Sequence, residues 1–208
     1  MTGNKNFECL LPETVKVLHL FIEQAPFLAK YVLVGGSALA LHLCHRKSED
    51  LDFFTFADSY NKKEILNFLN HFKKKEIINE TEDQIDILCD GVKVTFFNAN
   101  WSFLKPVREA KLNVASIESI AAMKINVLFL RAKYRDYYDL YQIAKTKMSL
   151  DEIFGQAKKV IPGITYKLFC IALTYIADID DDSITHLDPI ETISKEGIRT
   201  FFEQKLMI

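Results

Sequence analysis

The stretch VGGSALALHLCHRKSEDLDFF, residues 34–54, decides the reading of this chain. A short β-branched run, KYVLV (30–34), enters it and is stopped by two glycines, the pattern of a buried strand. Gly35, Gly36 and Ser37 then turn the chain into a segment carrying Leu39, Leu41 and Leu43, which predicts a helix capped by Ser37. The run DLDFFTF (50–56) predicts a second strand, with Asp50 and Asp52 at its start. Two carboxylates at i and i+2 of a strand point to one face. Side by side they repel, so the pair calls for a cation. Glycines let a backbone approach a ligand closely, and a helix N-terminus presents free N–H groups to an anion. An antiparallel pairing of the two strands would bring the carboxylates to that turn. Magnesium takes one or two carboxylates plus substrate phosphates, and paired aspartates clamp such ions in phosphoryl transfer. In isolation Asp50 and Asp52 read equally well as a solvated strand entry, and Gly35-Gly36-Ser37 as a steric device.

Around this stretch the pattern is mixed. Pro12 opens a helix to about Gln24, and a second helix is predicted from Asn61 to about Lys75, followed by a strand at KEIINE (75–80). QIDILCDGVKVTFF (84–97) has two alternating runs around Asp90-Gly91, the sign of a two-residue type I′ hairpin. With Cys89 opposite Val92, the register sets Asp86 opposite Thr95, their Cβ atoms roughly 5 Å apart. From Ser116 the periodicity is helical: 116–132, 134–147, 149–160, 164–178 and 190–205. The fold class is therefore α+β, with an α/β domain over 1–110 and a helical domain over 111–208.

The residues Gly35, Gly36, Ser37, Arg46, Ser48, Asp50 and Asp52, followed by Lys124, Arg131 and RDYYDLY (135–141), resemble the signature of the nucleotidyltransferase superfamily that includes DNA polymerase beta, and more narrowly the AbiEii/AbiGii toxin family of type IV toxin–antitoxin systems. The match runs in order from about residue 31 to 145. The resemblance implies a nucleotidyltransferase-like mixed sheet flanked by helices and followed by a helical bundle. It implies Mg²⁺ or Mn²⁺, a nucleoside triphosphate, transfer of a nucleoside monophosphate to an RNA, protein or small-molecule acceptor, and release of pyrophosphate. A cognate antitoxin would be the partner. Asp50 and Asp52 would hold metal; Gly35, Gly36, Ser37, Arg46, Ser48 and Thr95 would bind the nucleotide.

The superfamily commonly adds a third carboxylate from a neighbouring strand. Thr95 stands where it is first sought, and the hairpin register offers Asp86 in its place, as a metal ligand that helps deprotonate the acceptor hydroxyl or as an edge charge facing water. Lys124 and Arg131, nearly two helical turns apart, share a helix face and could meet phosphate, or simply face solvent. Arg135 and Asp139 have the spacing of a helix-surface pair. Trp101 and Phe103 could stack on a base or seal a domain seam.

Composition narrows the alternatives. The net charge of −2 announces no nucleic-acid partner by itself. Cys9, Cys44, Cys89 and Cys170 form no C-x-x-C and read as reduced thiols, with zinc at His42, Cys44 and His45 disfavoured by spacing. Neither a signal peptide nor a membrane span is expected, which points to the bacterial cytoplasm. A catalytically silent nucleotide-binding module and an antibiotic-modifying transferase remain open beside the toxin reading.

Overall fold

The computed structural model describes residues 7–55, 60–101, 103–104, 106–109, 111–180 and 183–206. Contacts divide the chain into two compact units, 1–116 and 117–208.

In the first unit, α1 (Pro12–Gln24) and a 3₁₀ turn (Pro26–Lys30) lead into β1 (Tyr31–Val34), then α2 (Gly35–Leu43) and β2 (Leu51–Thr55). Of the stretch expected as the second strand, Phe56 lies outside the described residues. Helix α3 (Lys62–Phe68) is capped by the Asn61 side chain and tightens into a 3₁₀ turn at Leu69–His71, so it ends short of the expected Lys75. Strands β3 (Lys75–Glu80), β4 (Gln84–Cys89) and β5 (Val92–Phe97) follow. Asp90 and Gly91 both have positive φ, 47° and 91°, as a type I′ turn requires.

Two strands were not anticipated: β6 (Pro106–Glu109) and β7 (Leu112–Ala115). They pair as a hairpin on either side of the 110/111 boundary expected from the sequence, and β7 lies beside β1. Their four-residue runs are too short for periodicity to announce them.

The sheet order is β3-β4-β5-β2-β1-β7-β6. β1 and β2 are antiparallel, β2 and β5 parallel, β4 and β5 antiparallel. This is the mixed sheet of an α+β fold. Strand alternation sends Phe53 and Phe96 to one face, where they stack at 5.2 Å. Phe21 from α1 and Phe68 from α3 close over them, 4.9 Å apart, forming an aromatic core. The opposite face receives Asp52, Phe54, Thr95, Phe97 and Asp86.

The second unit is helical: α4 (Ile117–Leu130), α5 (Tyr134–Thr146), α6 (Leu150–Ala157), α7 (Tyr166–Thr174) and α8 (Lys195–Leu206). The last helix starts at Lys195, later than the expected 190. Ser149 and Glu152 form a reciprocal capping box on α6. Tyr137, Phe169 and Phe202 are fully buried, and Tyr137 donates its hydroxyl to the Ala172 carbonyl at 2.9 Å. Among the described residues no helix is long and apolar enough to cross a membrane.

Candidate active site

The Gly-Gly-Ser turn is built around its neighbours' side chains. Gly35 has φ +69°, and a β-carbon there would stand 2.8 Å from Asp52 Oδ2. A β-carbon on Gly36 would stand 2.7 Å from Arg46 Nη2 and 3.1 Å from Ser48 Oγ. Both glycines thus make room for the polar groups around the start of α2. Ser37 does not cap this helix. The helix begins at Gly35, Val34 is its cap residue without a side-chain bond, and the Ser37 hydroxyl donates to the Asp50 carbonyl, lying 3.0 Å from Ser48 Oγ.

The segment carrying Arg46, Ser48 and Asp50 is tied down by the N-terminal residues. Ser48 N–H donates to Cys9 O at 3.1 Å, Leu11 N–H to Ser48 O at 3.0 Å, and Thr14 Oγ1 to Glu49 O at 2.8 Å. Cys9 and Cys44 are joined by a disulfide, their Cα atoms 5.3 Å apart. This corrects the expectation of four reduced thiols: the partners are 35 residues apart, a separation that carries no motif, and meet because residues 7–11 lie against the end of α2. His42 bonds to the Ala115 carbonyl at 2.8 Å.

Val34, Asp52, Thr95 and Asp86 are successive cross-strand partners on β1, β2, β5 and β4. The antiparallel β1–β2 pairing and the Asp86–Thr95 register follow the sequence expectation. Asp86, however, stands one strand beyond Thr95 and its oxygens are occupied. Thr95 Oγ1 donates to Oδ1 at 2.8 Å, Gln84 Nε2 lies 3.0 and 2.9 Å from the two oxygens, and Asn79 Nδ2 is 3.3 Å from Oδ2. Among the described residues no three His, Cys, Asp or Glu side chains converge to hold a metal. Asp86 therefore does not join Asp50 and Asp52 as a ligand here. Gln84 and Asn79 escaped the sequence reading. Gln84 was findable, two residues before Asp86 on the same strand face; Asn79 was not, since a register shift between Ile77 and Asn79 brings it opposite.

Asp50 and Asp52 are both partly exposed, and Asp52 packs against the Gly35 turn; such carboxylates are the hard oxygen donors that magnesium takes together with phosphate and water. On the same face, two residues along, Phe54 and Phe97 pack at 5.1 Å, and Trp101 sits 5.8 Å from Phe54 and stacks on Phe103 at 5.2 Å.

In the second unit, Lys124 is not a solvent- or phosphate-facing cation. Its Nζ lies 2.7 Å from Asp136 Oδ1 and 2.6 Å from Asp139 Oδ2, all three groups buried. A buried ammonium must be paired, and two carboxylates from α5 do this. Arg131 is half exposed, with Nε 3.6 Å from Asp136 Oδ2, an oxygen that no hydrogen-bond donor among the described residues satisfies.

Residues 18–103 and 84–161 match the family described as nucleotidyl transferase AbiEii toxin, type IV toxin–antitoxin system. The chain belongs to the AbiEii family. An uncharacterized protein from Aquifex aeolicus (strain VF5) is 27% identical over 181 residues, covering 85% of this chain and 86% of its own. Two solved structures share the fold with this AbiEii-family chain. JHP933 from Helicobacter pylori has a TM-score of 0.58 at 20% identity, covering 94% of this chain and 92% of its own. MenT4, a nucleotidyltransferase toxin from Mycobacterium tuberculosis H37Rv, has a TM-score of 0.52 at 15% identity, covering 95% and 86%.

Proposed function

We propose that this AbiEii-family chain is a metal-dependent nucleotidyltransferase and the toxin half of a type IV toxin–antitoxin pair. The observation that carries the reading is Asp52 packed against Gly35 at the start of α2, with Arg46 and Ser48 packed against Gly36. Asp50 and Asp52 would hold Mg²⁺ or Mn²⁺. Bound there, the ion screens phosphate charge and stabilises the oxygens that gain charge during transfer. The amides of Gly36 and Ser37 meet the β- and γ-phosphates of a nucleoside triphosphate, and the Arg46 guanidinium adds positive charge beside them. Loop 44–50, tethered by Cys9, Leu11 and Thr14, holds that cradle in shape. An acceptor hydroxyl attacks the α-phosphorus and pyrophosphate leaves. Family membership supports a cognate antitoxin as partner.

Asp52→Ala tests this. Wild-type protein with Mg²⁺ binds at least one nucleoside triphosphate, and the variant loses metal-dependent binding while keeping its circular dichroism. Expression of wild type arrests growth and expression of the variant does not. Unchanged nucleotide affinity in the variant counts against the site.

The place of Thr95 beside Asp52 favours one second reading, a module that binds nucleotide without transferring it. Pyrophosphate release with cellular RNA as acceptor separates the two.

A further inference from the structure

Strand β3 (Lys75–Glu80) ends the sheet, and all six of its residues are exposed. Its outer side meets no strand among the described residues, and an edge of this kind presents N–H and C=O groups to a further strand. Ile77 and Ile78 at its centre are 44% and 53% exposed. The register with β4 decides which further strand fits. Lys75 lies opposite Cys89 and Glu80 opposite Ile85; Cys89 and Ile85 are four residues apart on β4 and share a face. Glu76 lies opposite Leu88 and Asn79 opposite Asp86, which share the other face. In a regular strand, residues five apart point to opposite faces. The register shift between Ile77 and Asn79 adds one residue, so Lys75 and Glu80 come to one face and Glu76 and Asn79 to the other.

An antiparallel copy of the same strand, turned about a two-fold axis between Ile77 and Ile78, keeps these four residues on their faces. In that register Lys75 meets Glu80 of the second copy, Glu80 meets its Lys75, and Glu76 meets its Asn79. We propose that this edge is a homodimer interface, in which β3 pairs antiparallel with β3 of a second copy and joins two sheets into one. The proposal does not depend on the transferase reading. Main-chain hydrogen bonds and the cover of the isoleucines supply the affinity, while the facing charges fix the register and disfavour other strands. In the single chain, Lys62 Nζ lies 3.3 Å from Glu80 Oε1, and Lys75 Nζ donates to Asn70 Oδ1 at 2.7 Å. Surface contacts of this kind are worth little, so both side chains can turn to a new partner.

Sedimentation equilibrium of the full chain over a concentration series tests this. Wild type is compared with Lys75→Glu and Glu80→Lys, alone and mixed, each checked for folding by circular dichroism. Wild type should dimerise. Each variant alone sets like charges face to face at both ends of the pairing and should dimerise about tenfold more weakly or worse. Mixed in equal amounts, the two variants set opposite charges at both ends again, and the mixed dimer should regain wild-type strength, with less gain in high salt. A wild type monomeric at millimolar concentration, a dimer indifferent to either charge reversal, or variants that do not pair when mixed overturns the interface. Should a variant fail to fold, amide exchange in wild type decides. Protection of residues 75–80 must then rise with protein concentration, and exchange independent of concentration overturns the proposal.

Discussion

Lys124 shows how one buried charge changes the reading of a residue. Spacing alone set it beside Arg131 as a cation for phosphate. Its surroundings instead place Asp136 and Asp139 within 2.7 and 2.6 Å, both at 0% exposure. Removing one partner of a buried ion pair leaves an uncompensated charge, at a cost of about 3–5 kcal/mol. Lys124→Ala should destabilise the chain by about that amount in urea unfolding, since two carboxylates lose their counter-ion together. A stable variant with only a raised KM for triphosphate would return Lys124 to the phosphate-binding role. Gly35 is the opposite case: its place at a tight turn was legible from type alone. The reason it must be glycine, φ +69° with Asp52 Oδ2 2.8 Å from the missing β-carbon, required the third dimension.

At the scale of elements, what was legible followed local periodicity and turn chemistry. The Asp90-Gly91 turn fixed the β4–β5 register and with it the Asp86–Thr95 pair, because a two-residue hairpin leaves one way to align its strands. What was not legible depended on contacts between distant segments: the β6–β7 hairpin, the Asn79 register shift and the strap of residues 7–14 across loop 44–50. That strap yields a prediction. The Cys9–Cys44 bond closes a loop of 35 residues, for which chain entropy gives about 3–4 kcal/mol. Cys9→Ser should lower stability by about that much without reductant and match wild type when both are reduced. Wild-type unfolding indifferent to reductant would show that the bond contributes nothing. Reduction should also loosen the segment bearing Arg46 and Ser48, lowering triphosphate affinity more than stability of the sheet.

For the molecule as a whole, alkaline pH probes the cores of both units with one readout. Burial pushes the Tyr31 phenol up to about 12 and the Tyr60 phenol up to about 12 in the first unit. In the second, burial raises Tyr137 and Tyr138, and the phenol of Tyr138 is partly relieved by its bond to the Glu191 carbonyl. An unfolded tyrosine ionises near 10, so between about 10 and 12 the unfolded chain binds fewer protons than the folded one. Stability must therefore be level below the unfolded value and fall as pH rises through this window. Absorbance at 295 nm should show these four of the eight tyrosines ionising late, together with loss of ellipticity, and not as independent groups near pH 10. Tyr31→Phe removes one such proton and should flatten the fall. Eight phenols titrating together near their ordinary value, with the fold intact, would mean that neither aromatic core is as closed as its packing indicates.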